Sequence, residues 1–474
     1  MITDFHIDEN RKQEYYKKGY WGTDTIADAW SKQVRRYGNK EYVRDNYCKY
    51  TYEEVDQAAT RLAAWFEDQG VERGDVVTIQ LPNWCEFTIL MYGVYKAGCV
   101  LHPLPKSFNE EDLVRAMNLV DSSVLICPTF SHKTDYEQQA LNIKDSVPTI
   151  KAILLVDKCA PEHSDLPTLT KVLKNTPERD IAPSASSDDI ACILSTSGTT
   201  GVPKAVMLTH NNIIFSERSM VEAFGLGEDD VAYMPSPLSH ATGIFHGLVT
   251  PMLSGGSIIL EEEFRAICAV PHVYVPKDEC LAWNGSWSGI PFDGIEIRIV
   301  DEEGNDVEPG IQGEELSRGP HLFVGYHKNK EADKRALTDD GWFRSGDLGY
   351  IDENGRLRIN GRKKEIIIRG GENISANEID AHILGCPGVG DHATIGMPDE
   401  RLGERICTFI VAKPGCEPPT KEAVIEHLKA QHVQKRLWPE RVELIERIPR
   451  TSTGKIRRFV LLEEIKHRMA QDDR

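Results

Sequence analysis

The sequence predicts an α/β fold. A large N-terminal region of doubly wound α/β subdomains plus a small antiparallel β-barrel is followed by a small, mobile α+β C-terminal domain. Three observations predict it. Short apolar strands alternate with amphipathic helices over residues 51–260, the pattern of an open, mostly parallel sheet with helices on both faces. From Ile290 to Gly361 the pattern changes to short strands and Gly-rich turns, which predicts a small antiparallel barrel or sheet. After Gly361 a compact α+β unit ends in a basic loop. The domains expected are therefore 1–361 and 362–474, in keeping with 474 residues being too many for one ordinary domain.

The elements follow in order. Residues 1–50 are polar and aromatic, with Tyr15, Tyr16, Tyr20 and Trp21, and are expected to lie across the first domain. Thr51 and Glu54 form a capping box for a helix whose apolar stripe is Val55, Ala58, Ala59, Leu62 and Phe66. Gly70 stops it. Val76 to Leu81 reads as a buried strand, Phe87 to Lys96 as a helix, Val100 and Leu101 as a strand, and Glu110 to Val120 as a helix. Val124 to Cys127 and Ile153 to Val156 add strands. A second α/β unit begins with the strand Ile190 to Leu194 and includes a helix from Asn212 to Phe224 and the segment from Tyr233 to His240. In the last domain a strand at Ile366 to Ile368 precedes a helix opened by the Ser375/Glu378 capping box. Strands at 393–395 and 407–411, a helix at 421–432 and a strand at 442–445 complete it.

The most informative stretch is Ser195-Thr196-Ser197-Gly198-Thr199-Thr200-Gly201-Val202-Pro203-Lys204. Its glycines allow close backbone approach to an anion, its hydroxyls are short donors, and Lys204 brings positive charge. This equips it to hold a polyphosphate. It lacks the Gly-Lys-Ser/Thr ending of the nucleotide-hydrolase loop, and the apolar run after Lys204 predicts a hairpin instead of a helix cap.

With Leu208-Thr209-His210-Asn211-Asn212 behind it, this run resembles the phosphate-binding loop of the adenylate-forming superfamily, which includes acyl-CoA synthetases, aryl-acid ligases, luciferases and peptide-synthetase adenylation domains. Ala205 stands where most members carry glycine. The resemblance implies that Thr196, Ser197, Gly198, Thr199, Thr200, Gly201 and Lys204 hold the phosphates of ATP, and that Thr196 contacts Mg²⁺. It implies that Asp347 and Arg362 hold the adenosine ribose, that Lys364 is a hinge residue, and that Gly370-Gly371 faces the pantetheine arm of coenzyme A. It implies too that His240 borders the acyl path, and that Lys455, in Pro449-Arg450-Thr451-Ser452-Thr453-Gly454-Lys455-Ile456, reaches the carboxylate and α-phosphate during adenylation. By residue type alone, Asp347 is a turn former and Arg362 a solvated charge. Gly370-Gly371 reads equally as a plain β-turn.

The activity implied is a two-step ligase that converts a carboxylic acid to an acyl-adenylate and then to a CoA thioester. The flanks Leu81-Pro82-Asn83-Trp84-Cys85-Glu86-Phe87, Ser239-His240-Ala241-Thr242-Gly243 and 399–405 resemble short- and medium-chain fatty acyl-CoA synthetases and carnitine-CoA ligase relatives. A stand-alone aryl-acid ligase that loads a carrier protein is the alternative.

One stretch departs from the family. At Phe264/Arg265 two or three βα units that relatives use for the acyl pocket and adenine wall are missing. Either the sequence as written omits a stretch of the protein, or the chain carries a deletion. The cost of exposing an apolar sheet edge favours the first. With a real deletion, a non-catalytic nucleotide-binding protein is the further alternative.

Composition sets outer bounds. A net charge of −19 argues against nucleic acid as a partner, since phosphate neutralisation needs a basic excess. No secretory signal and no apolar run long enough to span a membrane are read, and eleven cysteines without a CxxC pair fit a reducing cytoplasm. The partners expected are the small acid, ATP and CoA; a homodimer is compatible with the sequence, which does not specify one.

Overall fold

The structure, a computed structural model, describes residues 2, 5, 7–131, 134–158, 164–179, 181, 185–196, 204–262, 273–274, 288–450 and 456–472. By backbone packing the chain divides into two compact units. One is Met1–Ala282 with Pro291–Glu296 and Arg318–Phe343, the other Trp283–Ile290 with Ile297–Ser317 and Arg344–Arg474. The expected boundary at Gly361 falls inside the second unit.

The first unit is built on a seven-stranded sheet. From edge to edge it runs Gly325–Tyr326, Lys204–Thr209, Ile190–Thr196, Val100–Leu104, Val76–Gln80, Ser122–Pro128, Ala152–Val156. The five strands from Ile190–Thr196 to Ala152–Val156 are parallel. Successive strands fall on both sides of Val76–Gln80, so the sheet is doubly wound, as expected. Four of the five are buried on both faces, which their mostly apolar sequences anticipate. The helix Tyr52–Asp68 is capped by Thr51 and Glu54 and buries Val55, Ala59, Leu62 and Phe66. It packs on the helix Glu86–Lys96, which is buried from Glu86 to Tyr95, and Leu62 lies so close to Gly93 that a Cβ there would meet it at 2.7 Å.

A second sheet in this unit runs Val231–Met234, Ser257–Leu260, Glu41–Arg44, Lys49–Thr51. An aromatic cluster backs it. Trp30 stacks on Tyr92 at 3.8 Å, and the Tyr42 hydroxyl bonds that of Tyr92 at 2.8 Å and donates to the Leu248 carbonyl at 2.7 Å. At the other end of this sheet Val231, Tyr233 and Ile259 are exposed.

The second unit contains the expected small β region as a four-stranded sheet, Glu296–Val300, Gly313–Arg318, Phe343–Ile351, Leu357–Arg362. The C-terminal sheet runs Glu372–Ser375, Ile366–Arg369, Gly403–Ala412, Val389–Asp399, with Arg441–Leu444 beside Gly403–Ala412. Side-chain alternation along Gly403–Ala412 sends Ile406 and Ile410 into one core, with Ile379, Val424 and Leu428, and Cys407 and Phe409 into the other, with Leu461 and Ile465. Helices Ala376–Ile383 and Lys421–Ala430 cover one face and Arg458–Asp472 the other. No described helix is long and apolar enough to cross a membrane.

Candidate active site

In the first unit, Ile190–Thr196 and Lys204–Thr209 pair antiparallel, with Thr196 opposite Lys204 and Ser195 opposite Ala205. The two strands thus pair as the arms of a hairpin, as the apolar run after Lys204 predicts. Residues 197–203, and with them Ser197, Gly198, Thr199, Thr200 and Gly201, lie outside the described residues, as does the side chain of Thr196. Lys204 is described: its ammonium stands 4.7 Å from the centroid of the Tyr326 ring on the neighbouring strand.

The base of this hairpin is tied into the sheet by a buried polar chain that the sequence reading missed. The Ser195 hydroxyl lies 2.9 Å from His102 Nε2, His102 Nδ1 lies 3.0 Å from the Thr78 hydroxyl, and that hydroxyl lies 2.7 Å from the hydroxyl of Ser122. Burial lowers His102 to about 3, so the imidazole is neutral and has one N–H to donate and one nitrogen to accept. The signal was a histidine inside the apolar strand Val100–Leu104, where only a partnered ring is tolerated.

His240 is half-buried and follows the segment 235–239, which Asn83 holds. The Asn83 amide donates to the carbonyls of Ser236 and Glu261, both at 2.9 Å, and its oxygen accepts from the Leu238 N–H at 2.9 Å. His240 Nδ1 accepts from the Thr242 N–H at 3.3 Å, at the start of the π-helical stretch Thr242–Val249. That stretch is fastened to the helix after the hairpin, His210–Phe224, through Glu217. This buried carboxylate accepts from Thr250 and lies 2.8 Å from His246 Nδ1. Burial opposes charge on His246, but the adjacent carboxylate outweighs it and raises the imidazole.

Gly243 is required where it stands. A Cβ there would lie 2.0 Å from the Pro237 oxygen and 2.8 Å from that of Ser236, backbone atoms that cannot yield without moving the approach to His240. Gly243→Ala is therefore expected to cost about 1–3 kcal/mol in a denaturant melt. Unchanged stability would contradict the close approach.

In the second unit, Asp347 and Arg362 are directly opposite in adjacent antiparallel strands, and Arg362 Nε lies 2.8 Å from Asp347 Oδ1. Residues fifteen apart in sequence thus form one patch able to take two hydroxyls and an anion. The expectation that Asp347 lies on a turn is corrected. It sits within the strand Phe343–Ile351, just after Gly346, whose positive φ of 72° supplies the local irregularity. Beside it, Glu314 accepts from Lys363 at 3.2 Å.

Glu315, on the same sheet, is fully buried. Burial, with Asp347 and Glu314 adding to it, pushes its carboxyl from 4.5 up to about 7. The folded chain therefore holds this proton more tightly than the unfolded chain. Stability is undiminished below pH 4.5, falls as pH rises from there through 7, and above 7 is reduced by about 3 kcal/mol. Glu315→Gln should recover most of that at pH 8 and almost none at pH 4, read from urea midpoints; an equal gain at both would contradict it.

Lys364 lies in the 3₁₀ turn Lys363–Glu365, which joins Leu357–Arg362 to Ile366–Arg369. Gly370 and Gly371, with φ of 61° and 88°, form the two-residue turn of the hairpin that pairs Arg369 with Glu372. Lys455 lies outside the described residues, but both flanks of its loop are fixed. Arg450 pairs with Asp391 at 2.7 Å and bridges Ile456, while Arg458 binds Asp380 at 2.8 Å, Glu365 at 3.0 Å and the Thr394 carbonyl at 3.0 Å.

The paired strands that flank a glycine- and hydroxyl-rich sequence in the first unit, and the Asp–Arg pair in the second, are each features suited to an enzyme that handles a nucleotide. The AMP-binding enzyme profile matches residues 30–273, and the AMP-binding enzyme C-terminal domain profile matches residues 378–455. The chain belongs to the AMP-binding enzyme family. It is 36% identical to the medium-chain fatty-acid–CoA ligase of Escherichia coli (strain K12), covering 98% of this chain and 95% of that protein. It is 26% identical to the 2,3-dihydroxybenzoate-AMP ligase of Bacillus subtilis (strain 168), covering 96% of each. Its fold matches ATP-bound MatB from Rhodopseudomonas palustris with a TM-score of 0.78 at 24% identity, over 93% of this chain and 99% of that one.

Proposed function

We propose that this chain is an ATP-dependent acid–CoA ligase acting on short- or medium-chain fatty acids. The observation that carries the acid class is the margin between 36% identity to the fatty-acid ligase and 26% to the aryl-acid ligase, each over nearly the whole chain. In the first half-reaction the carboxylate attacks the α-phosphorus of ATP and pyrophosphate leaves. In the second, the CoA thiol attacks the acyl carbon and AMP leaves. The protein's part is alignment and charge neutralisation. Asp347 and Arg362 take the ribose, the 196–204 hairpin with Lys204 takes the phosphates, Lys455 steadies the attacking carboxylate and His240 lines the acyl path. The Gly370-Gly371 turn receives the pantetheine arm, with Lys364 as the hinge. Magnesium, with Thr196 as its proposed ligand, would screen the pyrophosphate.

Purified chain given ATP, CoA and either straight-chain or hydroxybenzoic acids tests this. AMP release that requires CoA and favours the straight-chain acids is expected. Adenylation of aryl acids with no CoA-dependent release would establish the carrier-loading alternative instead.

A second reading is favoured by one observation. The alignment with the E. coli enzyme spans 537 positions against 474 residues, so at least 63 positions have no residue of this chain. We place the missing stretch at Phe264/Arg265. The exposed Val231, Tyr233 and Ile259, at 58%, 49% and 36%, support it, since a further strand or layer would cover them. A chain that truly lacks the stretch would bind nucleotide through Asp347 and Arg362 without ligating.

A further inference from the structure

The turn between the strands Glu41–Arg44 and Lys49–Thr51 brings Cys48 against Cys85, which lies just before the helix Glu86–Lys96. Their sulfurs and an Asp45 carboxylate oxygen lie within 4.8 Å of one another. Lys158 completes the cluster. Its ammonium is 2.5 Å from Asp45, 2.8 Å from Glu86 and 3.3 Å from Cys48 Sγ, and its side chain is 7% exposed. Three acid- or thiol-bearing side chains this close could hold a metal ion, but here the cation position is taken by an ammonium shared between two carboxylates. That sharing raises Lys158 well above its ordinary value, against the pull of burial, so its nitrogen has no lone pair for bonding to sulfur or metal.

We propose that Cys48 and Cys85 are an oxidisable pair that closes to a disulfide on reaction with a hydroperoxide. The two thiols are unequal in the way such chemistry needs. Cys48 is only partly buried, and the hydrogen bond from Cys85, with Lys158 adding to it, lowers its thiol despite burial. Cys85 is buried and raised by the same contact. Burial alone pushes up the remote Cys192. Cys48 thiolate attacks the distal peroxide oxygen, the O–O bond breaks, and the departing oxygen leaves as water or alcohol with the proton from Cys48. The Cys85 sulfur then attacks the Cys48 sulfenic acid, the S–S bond forms, and hydroxide leaves as water with the Cys85 proton. Two thiols lose two electrons and the peroxide gains them. Neither cysteine takes part in the ligase chemistry, so the inference stands apart from the proposed function.

The test is hydrogen peroxide treatment of the folded wild-type chain, followed by intact mass and non-reducing peptide mapping. The expected product is about 2 Da lighter, carries one peptide linking Cys48 to Cys85, and is restored by a thiol reductant. In Cys85→Ser, dimedone should trap a sulfenic acid on Cys48. Four outcomes would overturn the proposal: no linked peptide, a Cys48–Lys158 cross-link, oxidation confined to other cysteines, or a zinc ion that survives native mass spectrometry and protects Cys48.

Discussion

Lys158→Met lowers the stability of the folded chain by about 3–5 kcal/mol, the range found when one partner of a buried ion cluster is removed. The side chains of Lys158, Asp45 and Glu86 are 7%, 3% and 11% exposed, and both carboxylates bond the same ammonium. Without it, two negative charges remain near each other out of water. The pH dependence identifies the cause. Asp45 is held below its ordinary value in the wild type, where burial is outweighed by Lys158 and the Cys85, Cys48 and Tyr47 amides. Its contribution is present above the unfolded value near 4 and is lost as pH falls through the lower folded one. In the variant the burial of Asp45 is no longer outweighed by the ammonium, so the difference from wild type should shrink towards pH 4. Urea melts at pH 4.5 and 7.5 measure it. A loss that is small, or equal at both, would place the Lys158 contribution in packing and not in charge.

Asp347→Ala is expected to raise the KM for ATP by ten- to a hundredfold, about 1.5–3 kcal/mol, the worth of hydrogen bonds to a charged acceptor. The argument rests on the direct pairing of Asp347 with Arg362 across adjacent strands. In the proposed function Asp347 accepts from the ribose hydroxyls, while its contact with Arg362 orients the guanidinium. The KM for the acid should change little, and stability should fall by less than about 1 kcal/mol, since Arg362 is more than half exposed. Equal losses in both KM values would mean that the residue supports the sheet and not the nucleotide.

Much of the fold was legible because it is local. The capping box at Thr51, the alternation of Val76–Gln80 with Glu86–Lys96, and the Ser375 cap each announce an element without tertiary context. The helix Ile26–Tyr37 was not read, although Thr25 and Asp28 cap it and Ile26, Ala29 and Trp30 form its buried stripe; the aromatic density around it drew attention away from its period. The closing helix Arg458–Asp472 was missed because most of its faces are charged and only Leu461 and Ile465 are buried. At the site, the Asp347–Arg362 pairing was anticipated from resemblance, since fifteen residues of separation carry no geometric signal by themselves. The His102–Ser195 contact, the Asn83 brackets and the Cys48–Cys85–Lys158 cluster join residues 37 to 178 apart in sequence, through sheet order that no local pattern encodes.

The most direct test of the account is acid-dependent ATP–pyrophosphate exchange, measured with octanoate for the wild-type chain and for Lys455→Ala. Exchange in the wild type that falls by a factor on the order of 10²–10³ in the variant, with ATP binding retained, is the predicted result for loss of one charge at the attacking oxygens. No exchange with any acid, in a chain that still binds ATP, would contradict the ligase reading and leave a nucleotide-binding protein that lacks part of its synthetase fold.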